Sequence, residues 1–432
     1  MKSVVVVLDF DGVIADSITK LKLVFRQFLA DYHLVVPDTM FDELNGKTIL
    51  EIVTFFKLEY KLSSTIAELL WDYKAKVTGI YSEIDLFPSC REFLELCRWM
   101  NIPVAIASAN NEINVNLVLD RFDLRDLVAF IVSSDNVQFG KPHPETYQHI
   151  RNYFGDCNFL VVDDSIHGLR GALNSGMRVN PILFGSQSFD SEHESVNDFT
   201  QLGILLSYWV MKEADLTCVS SFVLKRSRFN LPAVDELLID SHWVNFSAGN
   251  DHVFNGIFSI IWGIRLSEDN LRCEFQFLEI DYKTLSFFKN NLGVPLVSLA
   301  ISGLVLQNSL IVIGLRANWV SQHSNWLELP PSGNLDPSNT PCEQLIIELE
   351  EELGVLEGQI LSRKFLGMFF DVSSNSLDFI YEVCIDTSVQ LKASSEYVWV
   401  RTYNRSEIQD LECLERIVPT SRYILNEAGY FI

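Results

Sequence analysis

The sequence predicts an α/β core that carries a helical insertion, followed by an α+β domain built on a mixed sheet. Three observations carry this expectation. Between Ser3 and Phe184, short β-branched runs alternate with longer helical stretches, the pattern of βα units around a mostly parallel sheet. From Gly185 to Thr200 (GSQSFDSEHESVNDFT) the chain turns polar, acidic and aromatic-poor, which reads as a linker. Beyond it the composition shifts to strand-like segments. At 432 residues the length itself favours two domains. The predicted layout is 1–184 for the core with its insertion at about 17–87, 185–217 for a linker and helix, and 218–432 for the second domain.

Four runs are predicted to be core strands: Val4 to Leu8, Val104 to Ala107, Ala129 to Val132 and Phe159 to Val162. Their unbroken apolarity suits strands buried on both faces, and they are too short for helices. Ser17 to Phe87 has helical apolar spacing and few strand signals, hence the insertion. After the linker, Gln201 to Ala214 reads as a helix. Phe254 to Ile264, Arg272 to Ile280, Val294 to Leu306, Ser309 to Leu315, Leu377 to Cys384 and Tyr397 to Arg401 read as strands of the mixed sheet. The longest apolar stretch, Val294 to Leu315, is broken by Gln307, Asn308 and Ser309, a turn between two buried strands rather than a membrane span.

With 33 Lys and Arg against 57 Asp and Glu, the net charge of −24 opposes non-specific binding to nucleic acid or an anionic membrane. Neither partner is expected. Eight scattered cysteines without a CxxC pair suit a reducing compartment, so a soluble cytoplasmic protein is the expectation. Asp9 and Asp11 cut the first apolar run far short of a signal-peptide core. Oligomeric state is left open.

The chemistry begins at Leu8-Asp9-Phe10-Asp11-Gly12-Val13, two carboxylates at i and i+2 just after a buried strand. Ligands of open α/β sheets bind at the carboxyl ends of strands, and residues two apart in extended chain face the same way. The geometry recurs downstream. Val104 to Ala107 ends in Ser108-Ala109-Asn110, and Phe159 to Val162 ends in Asp163-Asp164-Ser165, with Gly140-Lys141-Pro142 in a loop between them. Ser108 also stands where it would cap a following helix. Four gathered carboxylates repel one another unless a divalent cation sits among them, and hard oxygen ligands suit Mg²⁺.

These four motifs, in this order, resemble those of the haloacid dehalogenase superfamily of phosphohydrolases, together with the runs GKPHPETY and DDSIHGLRGALNSGM. The resemblance covers residues 3 to about 184 and implies a Rossmann-like core, with Ser17 to Phe87 similar to the family's helical cap. It implies that Asp9 carries an aspartyl-phosphate, that Asp11 serves as acid and then base, and that Ser108, Ala109, Asn110 and Lys141 hold the phosphoryl group. Asp163 and Asp164 would complete a Mg²⁺ shell with Asp9 and the Asp11 carbonyl. In the cap, Asn45-Gly46-Lys47-Thr48 is a candidate substrate contact or an exposed turn.

In the second half, Thr340-Pro341-Cys342-Glu343 writes a capping box with proline at the first helical position, and Gly354 a stop. Leu345, Ile346, Leu349 and Leu353 form the apolar stripe. Glu348, Glu351 and Glu352 fall at i, i+3 and i+4 and would share one face, where they could chelate a divalent ion or simply be solvated. Gly333 to Val355 resembles the Nudix box of diphosphate hydrolases in its spacing and its three helix glutamates. It departs at Asn339, where the family has its first glutamate, and at Ile347, where it has an arginine. Without that arginine the glutamates repel more and are held less firmly. A further acidic base would come from Asp378, Glu382 or Glu396.

The expected function is a Mg²⁺-dependent phosphohydrolase acting on a small phosphorylated metabolite, with a Nudix-like domain that cleaves a nucleoside or sugar diphosphate linkage. Two alternatives stand beside it. The first is a phosphomutase, which returns the phosphoryl group to the substrate; the second is a phosphatase regulated by a non-catalytic diphosphate-binding module.

Overall fold

The computed structural model describes residues 4–37, 39–44, 46–185, 194–214, 216–227, 234–248, 255–267, 269, 271–291, 295–320, 322–412 and 416–430. Asn45 of the cap turn and residues 186–193 of the expected linker lie outside them. The chain divides into two compact units, Met1–Gly203 and Ile204–Ile432.

The first unit is organised around a parallel sheet. Its strands are β1 (Val4–Asp9), β2 (Val104–Ala107), β3 (Phe130–Val132), β4 (Asn158–Asp163), β5 (Arg178–Phe184) and β6 (Glu194–Val196), in the order β3-β2-β1-β4-β5-β6. The central position of β1 explains its apolar run, because Val5, Val6, Val7 and Leu8 are all buried between layers. After β1 come four helices of the insertion, α1 (Ile18–Asp31), α2 (Met40–Leu44), α3 (Ile49–Glu59) and α4 (Ile66–Tyr81). Then α5 (Cys90–Trp99), α6 (Glu112–Arg121), α7 (Glu145–Phe154) and α8 (Ile166–Leu173) connect the strands. Thr48 and Thr65 each form a capping box, with Glu51 and Glu68, which fixes where α3 and α4 begin. Register sets Asp9 beside Ala107, and Leu8 beside Val162, so the carboxyl ends of β1, β2 and β4 share one edge.

The four predicted core strands are present, but β5 and β6 have no counterpart in the sequence reading. Pro181 inside β5 and the three-residue length of β6 hide the usual strand pattern. Part of the segment expected to be a linker thus extends the sheet.

Helix α9 (Phe199–Glu213) starts in the first unit and ends in the second. The second unit then contains β7 (Ser221–Arg226), α10 (Glu236–Ser247), β8 (Ile257–Leu266), β9 (Arg272–Asp281), α11 (Tyr282–Asn291), β10 (Ser298–Gln307) and β11 (Leu310–Arg316). There follow β12 (Leu327–Glu328), β13 (Ser332–Asn334), α12 (Pro341–Leu353), β14 (Ile360–Asp371), β15 (Ser376–Ile385), β16 (Tyr397–Tyr403), α13 (Arg405–Glu412) and α14 (Pro419–Glu427). The sheet is mixed, as expected: β10 runs parallel to β15 along its whole length and antiparallel to β11 and β13. Asn308 and Ser309, both at positive φ (52° and 64°), form the two-residue turn between β10 and β11. The apolar stretch therefore folds back on itself as a hairpin. Among the described residues no helix is long and apolar enough to cross a membrane.

Candidate active site

Lys141 organises the carboxyl edge of the first sheet. Its ammonium donates to Asp9 Oδ1 at 2.7 Å, to Asp163 Oδ2 at 2.7 Å and to the Ala107 carbonyl at 2.9 Å, with the side chain only 2% exposed. Burial works against the charge on Lys141, but Asp163 and Asp9 outweigh it and hold the group above the ordinary lysine value. Asp9 is pushed up to about 7 by burial, with Lys141 pulling it down and Asp163 pushing it up. The other oxygen of Asp163 accepts from the Ser165 backbone N–H at 3.0 Å and hydroxyl at 2.7 Å, and Tyr147 OH reaches Asp163 Oδ2 at 3.1 Å. Asp163 is thus fully occupied by protein donors.

Asp11 sits in a separate cage. Its Oδ1 accepts from Ser17 Oγ at 2.5 Å and Tyr81 OH at 2.5 Å, and its Oδ2 from Asn110 Nδ2 at 2.9 Å. Burial raises its pKa, and these three donors oppose the rise. Ser17 and Tyr81 were not anticipated from the sequence. Tyr81 lies 70 residues from Asp11, at the end of α4, and no local motif marks it.

Ser108 and Asn110 are buried and Ala109 lines the adjoining cleft. Ser108 Oγ accepts from the Asn110 backbone N–H at 2.9 Å. The cap of α6 is Asn111, whose side chain accepts from Asn114 N, so Ser108 is left for the site. The loop of the insertion closes on the lysine loop: Glu51 Oε2 accepts from Thr48 N at 2.8 Å and from Gly140 N at 3.1 Å.

Asp9, Asp163 and Asp164 bring one carboxylate oxygen each within 4.8 Å of one another, a hard-oxygen set that fits Mg²⁺. Asp164 accepts no hydrogen bond from a described residue, and burial, then Asp9 and Asp163, hold its carboxyl well above the usual range. Gly12, at φ +83°, lies against it: a Cβ there would be 2.3 Å from Asp164 Oδ2. Asp11 contributes no carboxylate oxygen to this cluster. Its place in the expected shell rests on its carbonyl.

A cleft opens from Asp9 and Asp11 into the insertion. Its walls come from α1, α2, α3 and α4, and Gly46 and Lys47 of the cap turn line it.

In the second unit α12 forms as the sequence predicts, with Thr340 and Glu343 in a reciprocal capping box and Gly354 at φ 68°. Its three glutamates are near enough to repel, Glu348 feeling Glu351 and Glu352 feeling Glu348, but do not close into a metal-holding group. Among the described residues the cluster able to hold a metal is that of Asp9, Asp163 and Asp164, and Glu348, Glu351 and Glu352 are outside it. Glu352 accepts from Ser332 N at 3.2 Å and Tyr397 OH at 3.1 Å, whereas Glu348 accepts from Gln344 Nε2 at 2.9 Å and Glu351 is exposed. The physical reason is the helix itself: positions i, i+3 and i+4 spread over enough arc that one side chain is buried, one half-buried and one solvated. Asn339 donates to Gln344 Oε1, and Ile347 is half-exposed. Of the candidate bases, Asp378 is buried and accepts from Ser302 at 2.8 Å and Ser376 at 2.7 Å. Glu396 is raised by burial, and Glu382 is half-buried on β15.

Residues 6–182 match the family model described as haloacid dehalogenase-like hydrolase. Hexitol phosphatase B of Escherichia coli is 30% identical over 95 residues, which are 22% of this chain and 43% of that protein. The chain thus spans less than half the length of that relative. The 6-phosphogluconate phosphatase of Escherichia coli is 23% identical over 216 residues, 48% of this chain and 96% of its own length. Among solved structures, a β-phosphoglucomutase from Clostridium difficile is 20% identical, covering 46% of this chain and 92% of that one, with a TM-score of 0.41. The first unit carries a haloacid dehalogenase-like hydrolase domain.

Proposed function

We propose that the first unit is a Mg²⁺-dependent phosphohydrolase acting on a small phosphorylated metabolite through an aspartyl-phosphate on Asp9. The observation that carries this reading is the Lys141 ammonium held between Asp9 and Asp163, beside Asp164, at the carboxyl ends of three parallel strands. Lys141 occupies one oxygen of Asp9 and orients the other for in-line attack on phosphorus. Asp11, held by Ser17, Tyr81 and Asn110, donates a proton to the leaving alkoxide and later withdraws one from the attacking water. Its burial-raised pKa suits the first of these roles. The Ser108 hydroxyl, whose oxygen is fixed by the Asn110 backbone N–H, and the Ala109 backbone N–H hold the phosphoryl oxygens, and the charge of Lys141, whose three donors go to Asp9, Asp163 and the Ala107 carbonyl, offsets theirs. Asp9, Asp164 and the Asp11 carbonyl would hold Mg²⁺, with Asp163 acting mainly through Lys141; when bound, the ion would supply positive charge against that of the transferring group.

Asp9→Asn tests the reading. It keeps shape and an acceptor for Lys141 but removes the nucleophile, so phosphate release from an aryl phosphate should vanish while the fold persists. Turnover by a folded Asp9→Asn protein would sink the aspartyl-phosphate step.

For the second unit a specific contact favours a Nudix-like reading. A Cβ on Gly333 would lie 2.1 Å from Glu348 Oε1, so the first glycine of the box stands where the helix glutamate approaches the strand, and a side chain there would move the Glu348 carboxylate. With no metal-holding carboxylate group among its described residues and no arginine at position 347, we read this unit as binding a diphosphate without hydrolysing it.

A further inference from the structure

We infer that the ester hydrolysed by the first unit has an apolar organic part, aromatic or branched-aliphatic, rather than a polyhydroxylated one; this deepens the phosphohydrolase reading and rests on it. The cleft above Asp9 and Asp11 is walled by Phe25, Phe41, Leu44, Ile49, Ile52 and Val77. Phe25, Leu44 and Val77 are buried in the packing of the insertion itself, where apolar side chains need no ligand to explain them. Phe41, Ile49 and Ile52 differ: each keeps part of its surface accessible while lining the cleft. Ile49 and Ile52 open helix α3, one turn apart on the side that meets the site.

The polar groups of the cleft are already committed. Asn110 spends its amide N–H groups on Asp11 and Tyr81, and its Oδ1 accepts from Asn111 N at 2.9 Å and Asn114 Nδ2 at 2.8 Å. Tyr81 OH donates to Asp11 and accepts from Asn110. Asp9 and Asp11 belong to the phosphoryl chemistry. What is left for the organic part is the Lys47 ammonium and the edge of the largely buried Tyr73, both of which line the cleft. A hexitol phosphate would bring about five hydroxyls against these two groups. Each hydroxyl that turns against these walls without a partner loses roughly tenfold in binding or more, whereas a ring or branched chain gains from the same walls. Lys47 and Tyr73 leave room for an acceptor or two on an otherwise apolar group.

The experiment compares esters whose alcohols leave similarly well. With the Mg²⁺-loaded full chain, kcat/KM for benzyl phosphate and 3-methylbutyl phosphate should exceed that for hexitol 6-phosphate and glycerol phosphate by about tenfold or more, mainly through KM. Ile52→Asn and Phe41→Ser should shrink that ratio, and the conservative Ile52→Val should keep it. A hexitol phosphate turned over as efficiently as benzyl phosphate would overturn the apolar inference while leaving the phosphohydrolase reading in place. If no ester, p-nitrophenyl phosphate included, releases phosphate, that reading fails and the inference with it.

Discussion

The Tyr81 hydroxyl donates a 2.5 Å hydrogen bond to Asp11 Oδ1 across 70 residues of chain, from the end of an insertion helix to the loop after the central strand. It ties the position of the proposed proton donor to that of the insertion. Tyr81→Phe keeps the ring, which packs on Phe10 at 6.0 Å between centroids, and removes only the donor. One hydrogen bond to a charged group is worth roughly 1.5–3 kcal/mol, so kcat on an alkyl phosphate should fall by about ten- to a hundredfold. KM should change little. Because the donor also lowers the pKa of Asp11, its loss should move the corresponding limb of the kcat–pH profile upward. An unshifted profile at full kcat would show that Ser17 and Asn110 suffice.

Lys141 lies between two carboxylates with almost no water to replace it. Truncation to Met preserves the stem but leaves Asp9 and Asp163 facing each other uncompensated, a loss of about 3–5 kcal/mol for a broken buried pair. The urea midpoint of Lys141→Met should drop accordingly, and saturating Mg²⁺ should recover part of the loss. Hydrolysis should be abolished in either case.

Gly12→Ala asks whether the Asp164 carboxylate must stay where it is. The residue has φ +83°, which costs an alanine about 1–2 kcal/mol, and its Cβ would meet Asp164 Oδ2 at 2.3 Å. Displacing Asp164 should raise the Mg²⁺ concentration for half-maximal activity by about 10–100-fold, in keeping with the sensitivity of metal sites to their supports. A Mg²⁺ titration of activity checks it.

The central strands and the motif residues at their ends were legible because continuous apolar runs report burial on both faces and because carboxylates at strand ends are spaced in sequence as in space. Asp9 and Asp163 fell together for that reason, whereas Lys141 comes from a loop and was marked only by its GKP motif. Tyr81 and Ser17 were not legible: contact between α4 and the loop after β1 is set by packing of the insertion, which leaves no period in the sequence. Strand β14 was missed too. Its largely exposed first half, Ile360–Leu366, lacks the apolar run that marks its neighbours, although it pairs with β15 throughout. The glutamates of α12 show the opposite failure, since spacing on a helix fixed which face they share but not whether their tips converge.

Asp378 makes the second unit's stability depend on pH. Burial raises its pKa to about 6, with Ser376 and Ser302 opposing the rise. A carboxyl whose folded value exceeds its unfolded value near 3.8 gives its full stability at low pH and loses it as pH climbs from about 4 through 6. At pH 7 the loss amounts to about 3 kcal/mol at most. Asp378→Asn keeps partners for both serine hydroxyls and has no charge to bury. Its thermal midpoint should exceed that of the parent chain at pH 7.5, and the gap should close near pH 4.

The second unit's proposed lack of hydrolytic activity can be tested without separating it from the first. In the Asp9→Asn chain the first site is silent, so any product formed from a nucleoside or sugar diphosphate must come from elsewhere. Glu352 is held by Ser332 N and Tyr397 OH, and burial together with Glu328 and Glu348 favours its neutral form. Glu348 is likewise pushed up to about 7 by burial. Carboxyls disposed toward protonation make poor ligands for a divalent ion at neutral pH. The Asp9→Asn chain should therefore bind such a diphosphate, measured calorimetrically, yet release no monophosphate with Mg²⁺ or Mn²⁺ on a timescale of hours. Product that disappears when Glu351→Gln and Glu352→Gln are added would show instead that the metal itself draws the three side chains together.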